Sequence, residues 1–122
     1  MTRILVVDDS VSFLAAATEV IVAAQGFELA GVAQAGDEAV ELARISRPDL
    51  ALIDLNMPGL DGHETAARMA TESPETVTVL MTATPDPGRR SEGLLDKRRL
   101  SPSALAEIWA DASRSVRMTK TA

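Results

Sequence analysis

The chain has 122 residues with no cysteine, few aromatic side chains and a formal net charge of −6. This length suits one domain, residues 1–122, and the lack of cysteine excludes disulfides, thiolate catalysis and zinc–thiolate sites. An acidic chain disfavours direct nucleic-acid binding, and no apolar stretch reaches the roughly 18 residues that a membrane span needs. The N-terminus lacks a signal-peptide pattern, so we expect a cytoplasmic protein with no membrane partner.

The first third of the chain predicts two strands separated by a helix. Ile4–Val7 is a short β-branched run of the kind that forms a buried strand. Ser10 or Ser12 can cap the helix that follows, and Gly26 is a natural stop for it. Phe27–Ala33 is then apolar enough for a second strand.

The middle of the chain continues the alternation. Helical spacing of apolar residues predicts a helix over Asp37–Ile45, and the apolar run within Asp49–Leu55 predicts a third strand there. Gly62–Thr71 predicts another helix, and Thr76–Met81 a fourth strand that ends at Thr82. Strands that alternate with helices in this way indicate parallel βαβ units and an α/β sheet.

The pattern weakens after the fourth strand. Residues 83–92 are rich in proline and charge and have room for one helical turn, Arg89–Glu92. Gly93–Asp96 predicts a weak fifth strand, which leaves too few residues for the usual helical crossover from the fourth. Ser101 followed by proline is a strong helix start, and the apolar stripe of the last helix continues to about Arg117.

Four of the predicted strands end in side chains that carry chemistry. Parallel strands place their carboxyl ends at one edge of the sheet, so these side chains should converge. Clustered carboxylates repel one another, and Mg²⁺, which prefers carboxylate and phosphate oxygens, would offset that repulsion. A lysine and a threonine can bind a phosphoryl group, so the set predicts phosphoryl transfer onto a carboxylate. The strand-end residues are Asp8-Asp9, Asp54, Thr82 and Lys97.

The chain resembles two-component response-regulator receiver domains, because its motifs occur in the same order as in that family. The resemblance implies a flavodoxin-like, doubly wound (βα)5 fold with a five-stranded parallel sheet of order 2-1-3-4-5. It also implies a protein that is not an enzyme in its own right, although it assists its own Mg²⁺-dependent phosphotransfer and dephosphorylation. The motifs that carry the resemblance are Asp8-Asp9, Asp54 before Met57-Pro58-Gly59-Leu60-Asp61-Gly62, Thr82-Ala83, and Lys97 before Ser101-Pro102.

The resemblance also implies a role for each matching residue. Asp54 accepts the phosphoryl group from the phosphohistidine of a sensor histidine kinase or a phosphotransfer protein. The implied Mg²⁺ ligands are Asp8, Asp9, Asp54 and the backbone carbonyl of Asn56. The implied phosphoryl-binding and switch residues are Thr82, Ala83 and Lys97, and the residues that tune the lifetime of the phosphoryl group are Asn56 and Thr84.

The sequence departs from the receiver pattern in three places. The fourth helix of the pattern, between the fourth and fifth strands, is shortened or missing. Leu94 occupies the position where receivers usually carry the tyrosine or phenylalanine of the switch, and Arg98 stands where many have proline. The missing helix leads us to expect an uncovered apolar face formed by strand four, strand five and the last helix, suited to a homodimer or an output partner. The residues expected there are Leu80, Leu94, Leu95 and Ile108.

Three functions follow from these observations. The first is a phosphoacceptor that signals through an output partner, as a stand-alone domain or as a fragment of a longer chain. The second is a degenerate receiver, an interaction or dimerisation module that phosphorylation does not switch. The third, a Mg²⁺-dependent phosphohydrolase, is disfavoured because Asn56 replaces the second carboxylate that such enzymes need. We interpret Asp61 as a turn residue, His63 as solvent-facing and Trp109 as a packing residue.

Overall fold

The computed structural model describes residues 1–84 and 94–121, in which five strands alternate with four α-helices. The strands are β1 (Thr2–Val7), β2 (Phe27–Ala33), β3 (Leu50–Asp54), β4 (Val77–Thr82) and β5 (Leu94–Asp96). The helices are α1 (Val11–Ala23), α2 (Gly36–Ser46), α3 (Gly62–Glu72) and α4 (Pro102–Thr121), with a 3-10 turn at Lys97–Arg99. The helix α4 therefore ends later than predicted, because no glycine or proline stops it after Arg117.

All five strands lie in one parallel sheet of order β2-β1-β3-β4-β5. The predicted fold class is therefore confirmed. The strand order reverses between β1 and β3, and in such sheets ligands bind outside the carboxyl ends of the strands at this point. No helix of the described part of the chain is both long and apolar enough to cross a membrane.

Two apolar layers, one on each face of the sheet, hold the fold together. Along β1, Ile4 and Val6 point towards α1 and α4, whereas Leu5 and Val7 point towards α2 and α3. This alternation follows from the two-residue period of a strand, and it explains why the central strands are apolar throughout. Trp109 is partly buried and packs against the first layer, as predicted.

The helices α1 and α4 begin at serine side chains that satisfy free N–H groups of the first turn. Ser10 Oγ accepts from the N–H of Phe13 at 3.2 Å, which confirms the predicted cap of α1. Ser101 Oγ likewise accepts from Ala104 at the start of α4. Gly26, the predicted stop of the first helix, has a φ of +87°, a left-handed conformation that glycine adopts without strain.

The connection between β4 and β5 is residues 83–93. Because the two strands are parallel, β5 begins at the opposite end of the sheet from the end of β4. The described part of the chain has four helices, in agreement with a shortened fourth helix in the receiver pattern. The helical turn predicted at Arg89–Glu92 lies outside the described residues.

Candidate functional site

The polar side chains predicted for the site come from the carboxyl ends of four strands. Asp8 directly follows β1, and Asp54 is the last residue of β3, in register with Met81 of β4. Thr82 ends β4, and Lys97 directly follows β5. The strand registers therefore bring these four side chains to one edge of the sheet, as the sequence predicts.

Three carboxylates meet at this edge. Asp8, Asp9 and Asp54 each offer an oxygen that lies within 4.8 Å of the other two. Asp8 is fully buried and Asp54 is 6% exposed, whereas Asp9 faces solvent. The Oδ1 of Asp8 accepts from the N–H of Ser10 at 2.8 Å, which fixes the orientation of that carboxylate.

The ammonium group of Lys97 lies between two of these carboxylates. Its Nζ is ion-paired with Oδ2 of Asp8 and is 3.3 Å from Oδ1 of Asp54. The Lys97 side chain is only 13% exposed, so water screens these attractions less than it would at the surface. Three carboxylates and one ammonium group, among the described residues, leave two net negative charges at the site.

The proximity of these charges shifts two pKa values. Burial and the charge of Asp8 raise the pKa of Asp54 above its ordinary value, although Lys97 and the N–H of Asn56 oppose them. Burial disfavours the charge on Lys97, yet its contacts with Asp8 and Asp54 raise its pKa above the ordinary value. The lysine therefore stays cationic at neutral pH, and ionised Asp54 is less stable here than in water.

Replacing Asp54 with asparagine is therefore expected to stabilise the metal-free protein by about 1 kcal/mol at about pH 7. A raised pKa in the folded state means that Asp54 favours folding when protonated and that this contribution is lost as the pH rises through its pKa. The advantage of Asp54→Asn should accordingly shrink as the pH falls to about 4. Thermal unfolding in EDTA at both pH values measures it, and an asparagine variant less stable than the native protein at neutral pH would contradict the expectation.

The residues present fit a divalent, oxygen-liking cation. Mg–O bonds of about 2.1 Å put ligand oxygens at most about 4.2 Å apart, so oxygens within 4.8 Å need only small rotations. Oδ2 of Asp8 is buried and ion-paired with Lys97, so a metal that bound this oxygen would share it with the ammonium group or displace that group. A divalent cation would also offset the two net negative charges. Asp8, Asp9 and Asp54 are the side chains that would hold it.

The remaining predicted residues surround this cluster. Thr82 is 4% exposed, and its Oγ1 accepts from the N–H of Thr84 at 3.3 Å. Ala83 and Thr84 are exposed at the rim, as is Asn56, whose N–H is 3.5 Å from Oδ1 of Asp54. The roles of these residues, and the Asn56 carbonyl as a metal ligand, stay predictions.

Comparison with known proteins assigns the family. A family model described as the response regulator receiver domain matches residues 4–96. The chain belongs to this family. The receiver is 44% identical over 110 residues to protein-glutamate methylesterase/protein-glutamine glutaminase 2 of Anaeromyxobacter dehalogenans, an alignment that covers 87% of the receiver and 32% of that relative. It spans about a fifth to two fifths of the length of the curated relatives that it matches.

Solved structures of receiver domains share the fold. The signal receiver domain of the putative response regulator NarL from Mycobacterium tuberculosis superposes with a TM-score of 0.76 at 26% identity, covering 89% of this chain and 96% of that one. The response regulator domain of Thermotoga maritima CheB has a TM-score of 0.71 at 22% identity and covers 100% and 98% of the two chains. The receiver therefore shares its overall fold with these domains.

Two contacts around Lys97 were not predicted from the sequence. Its Nζ lies 4.6 Å from the centroid of the Phe13 ring, on α1. The Asp96 carboxylate accepts from the N–H of Arg98 at 2.9 Å and binds its guanidinium, which closes the turn that carries Lys97. The sequence did contain a signal for the contact between Asp96 and Arg98, because an aspartate two residues before a free backbone N–H favours such a turn. The Asp96–Arg98 pair lies where many receivers have proline after the lysine.

The loop after Asp54 contains a further unpredicted feature. Gly62, the first residue of α3, donates its N–H to the Leu55 carbonyl at 3.0 Å, and a Cβ on Gly62 would lie 2.6 Å from the Asp54 carbonyl oxygen. Asp61, predicted only as a turn residue, caps α3 in a reciprocal pair of hydrogen bonds with Glu64. The helix end therefore packs directly on the strand end that carries Asp54. His63 is exposed, as predicted.

Proposed function

We propose that this receiver accepts a phosphoryl group on Asp54 from the phosphohistidine of a histidine kinase or a phosphotransfer protein. One observation carries the proposal: a single ammonium group, Lys97, contacts the buried Asp8 and Asp54 inside a cluster of three carboxylates. A carboxylate arranged in this way can serve as a nucleophile, with a cation already beside it to attract the phosphoryl oxygens.

The transfer forms one bond and breaks one. A carboxylate oxygen of Asp54 attacks the phosphorus in line, an O–P bond forms, and the N–P bond of phosphohistidine breaks with its electron pair moving to the imidazole nitrogen. That nitrogen is then protonated from solvent. The ionised form of Asp54 is the nucleophile, and the adjacent ammonium group of Lys97 favours that form, whereas burial and Asp8 raise the pKa of Asp54.

The other residues of the site position the phosphoryl group and offset its charge. Lys97 would bind one phosphoryl oxygen, and the buried hydroxyl of Thr82 would donate to another, because its present contact with Thr84 uses the hydroxyl oxygen only as an acceptor. Mg²⁺, when bound by the three carboxylates, supplies positive charge to the phosphoryl oxygens. The position of Thr82 at the end of β4 would connect the modification to the neighbouring β5.

Asp54→Asn is expected to abolish phosphorylation. Incubated with acetyl phosphate and Mg²⁺, the native protein should gain one phosphoryl mass by intact mass spectrometry, and the asparagine variant should gain none, because an amide is a poor nucleophile. Asp37→Asn is the matched control, since it makes the same change at an exposed aspartate of α2 and should be phosphorylated normally. Equal labelling of the native protein and Asp54→Asn would refute the assignment.

A second candidate function has one observation in its favour. Leu94 begins β5 opposite Leu80, so the switch position carries neither a ring nor a hydroxyl. If phosphorylation does not change the conformation of a receiver that lacks this aromatic residue, the protein is a degenerate receiver that binds a partner without being switched. The fluorescence of Trp109, which packs against the core, discriminates the two functions. A change with beryllofluoride and Mg²⁺ that Asp54→Asn abolishes supports the switch, whereas phosphorylation without any such change supports the degenerate receiver.

The output surface proposed for the receiver is the face formed by β4, β5 and α4. Leu80, Leu94, Leu95 and Ile108 are half-buried at this edge of the sheet. Leu95 and Ile108 pack against the layer of α1 and α4, whereas Leu80 packs against the layer of α2 and α3 on the opposite face. We propose this face for a homodimer or an output protein, with no direct contact to nucleic acid. Light scattering with and without beryllofluoride tests the homodimer, and a monomer at high concentration in both conditions would exclude it.

The names of the relatives include an esterase activity, whereas the stretch matched by a family model is the receiver domain. We therefore propose a regulatory phosphoacceptor function for this chain and no hydrolase activity of its own. A test for release of methanol from methylated glutamyl peptides checks that part of the proposal, and turnover by the purified chain would contradict it.

A further inference from the structure

We propose that Phe13 is a positioning residue for Lys97 and that its ring holds the ammonium group in place during phosphoryl transfer. The centroid of the Phe13 ring lies 4.6 Å from Nζ of Lys97, within the roughly 6 Å over which an aromatic face attracts a cation. The effect on the reaction rests on the proposed function, whereas the contact itself does not.

The surroundings of this contact favour a strong interaction. The Lys97 side chain is 13% exposed, so little water competes with the ring for the ammonium group. Phe13 is half-buried and packs against the core layer of α1, and its N–H is tied to the capping Ser10. The ring is therefore held by the first turn of a capped helix, and the cation that it faces is partly desolvated.

The ring differs from the other two partners of Lys97 in one respect. Asp8 and Asp54 are also the groups that would hold Mg²⁺ and accept the phosphoryl group, so their oxygens change partners during the reaction. Phe13 is neutral and takes part in neither event. Its attraction for the ammonium group persists when the carboxylates turn away, and the lysine then stays where an incoming phosphoryl oxygen can meet it.

Phe13 brings an aromatic ring to the site of a chain that has few aromatic residues. Aromatic residues are few in this sequence, and Leu94 leaves the switch position on β5 without one. Phe13 reaches the lysine from α1, on the other side of the phosphoacceptor strand from β5. The aromatic contact of Lys97 is thus supplied by a helix that belongs to the metal-binding end of the site.

The contact is tested first in the metal-free protein, without any phosphorylation. A ring facing the lysine side chain shifts its ε-methylene proton resonances upfield. We expect this upfield shift for Lys97 in the native protein and in Phe13→Tyr, and its loss in Phe13→Leu, which keeps an apolar side chain but has no ring. An unshifted Lys97 resonance in the native protein would overturn the contact.

The role in the reaction is tested by weakening the ring's attraction without changing its shape. Phenylalanine analogues with one, two and three fluorine atoms, placed at position 13 by amber suppression, withdraw charge from the ring face. The rate of phosphorylation by acetyl phosphate should fall stepwise, by about 3- to 10-fold across the series. The same analogues at the core residue Phe27 are the matched control and should leave the rate unchanged.

A slow Phe13→Leu variant whose rate is insensitive to fluorination would show that the ring only fills space and would overturn the positioning role. A native protein that takes no phosphoryl group would refute the proposed function instead. The proton resonances of Lys97 would then still decide whether the ring holds the ammonium group.

Discussion

Replacing Lys97 with methionine is expected to lower the free energy of unfolding of the metal-free protein by about 2–4 kcal/mol at neutral pH. Methionine keeps an unbranched apolar stem of the same length and removes the ammonium group at its end. Asp8 and Asp54, whose side chains are 1% and 8% exposed, would then lie close together with no cation beside them among the described residues. Urea denaturation in EDTA measures the loss. Phosphorylation by acetyl phosphate should slow by about 100-fold, because no ammonium group remains for the phosphoryl oxygens.

The neighbouring Arg99 provides the matched control for this prediction. It is exposed, so Arg99→Met removes the same charge and should change stability by less than about 0.5 kcal/mol. Adding Asp8→Asn to Lys97→Met should recover most of the lost stability, because the double variant no longer buries an uncompensated pair of charges. If Lys97→Met alone were as stable as the native protein, solvent would have to screen the two carboxylates far more than their burial indicates.

The fold and the acidic cluster could be predicted from the sequence because both depend on local pattern. The runs 4–7 and 50–53 are apolar without a break, as central parallel strands are, and helix signals separate them. Once the strands are parallel, the residues after them must share an edge. The convergence of Asp8, Asp54 and Lys97 therefore follows from topology alone, before any side-chain position is known.

The contacts that orient those residues could not be predicted in the same way. The ring of Phe13 meets Lys97 only because the first turn of α1 and the turn after β5 lie at the same edge of the sheet in the folded chain, and no spacing along the sequence encodes that proximity. Phe13 satisfies the helical pattern equally well as an ordinary core residue. Gly62 likewise matches the family motif, but its close approach to Asp54 becomes visible only when the helix packs on the strand. Tertiary packing decides such details, and the sequence pattern does not encode that packing.

The expected effect of Gly62→Ala is a loss of about 2–3 kcal/mol of folding free energy together with a large fall in the phosphorylation rate. A Cβ at this position would lie 2.6 Å from the Asp54 carbonyl oxygen and 2.7 Å from the Leu55 Cα. Both are backbone atoms, which cannot turn aside as a side chain can. Relief of the clash requires α3 to move away from β3 or the end of β3 to bend, and bending displaces the phosphoacceptor. Urea denaturation and the acetyl phosphate reaction measure the two effects.

Gly31→Ala is the matched substitution for comparison, because its Cβ would meet the Cδ2 of Leu42 at 2.9 Å, the far end of a flexible side chain. It should change stability by less than about 1 kcal/mol and leave phosphorylation unaffected, since β2 carries no residue of the site. The same chemical change is therefore expected to have a large effect where the new Cβ meets backbone atoms and a small effect where it meets a movable methyl group. If both variants unfold at the same urea concentration, the close packing of α3 on the strand end does not hold Asp54 in place, and the rigidity of the site must come from the charge contacts of Lys97 instead.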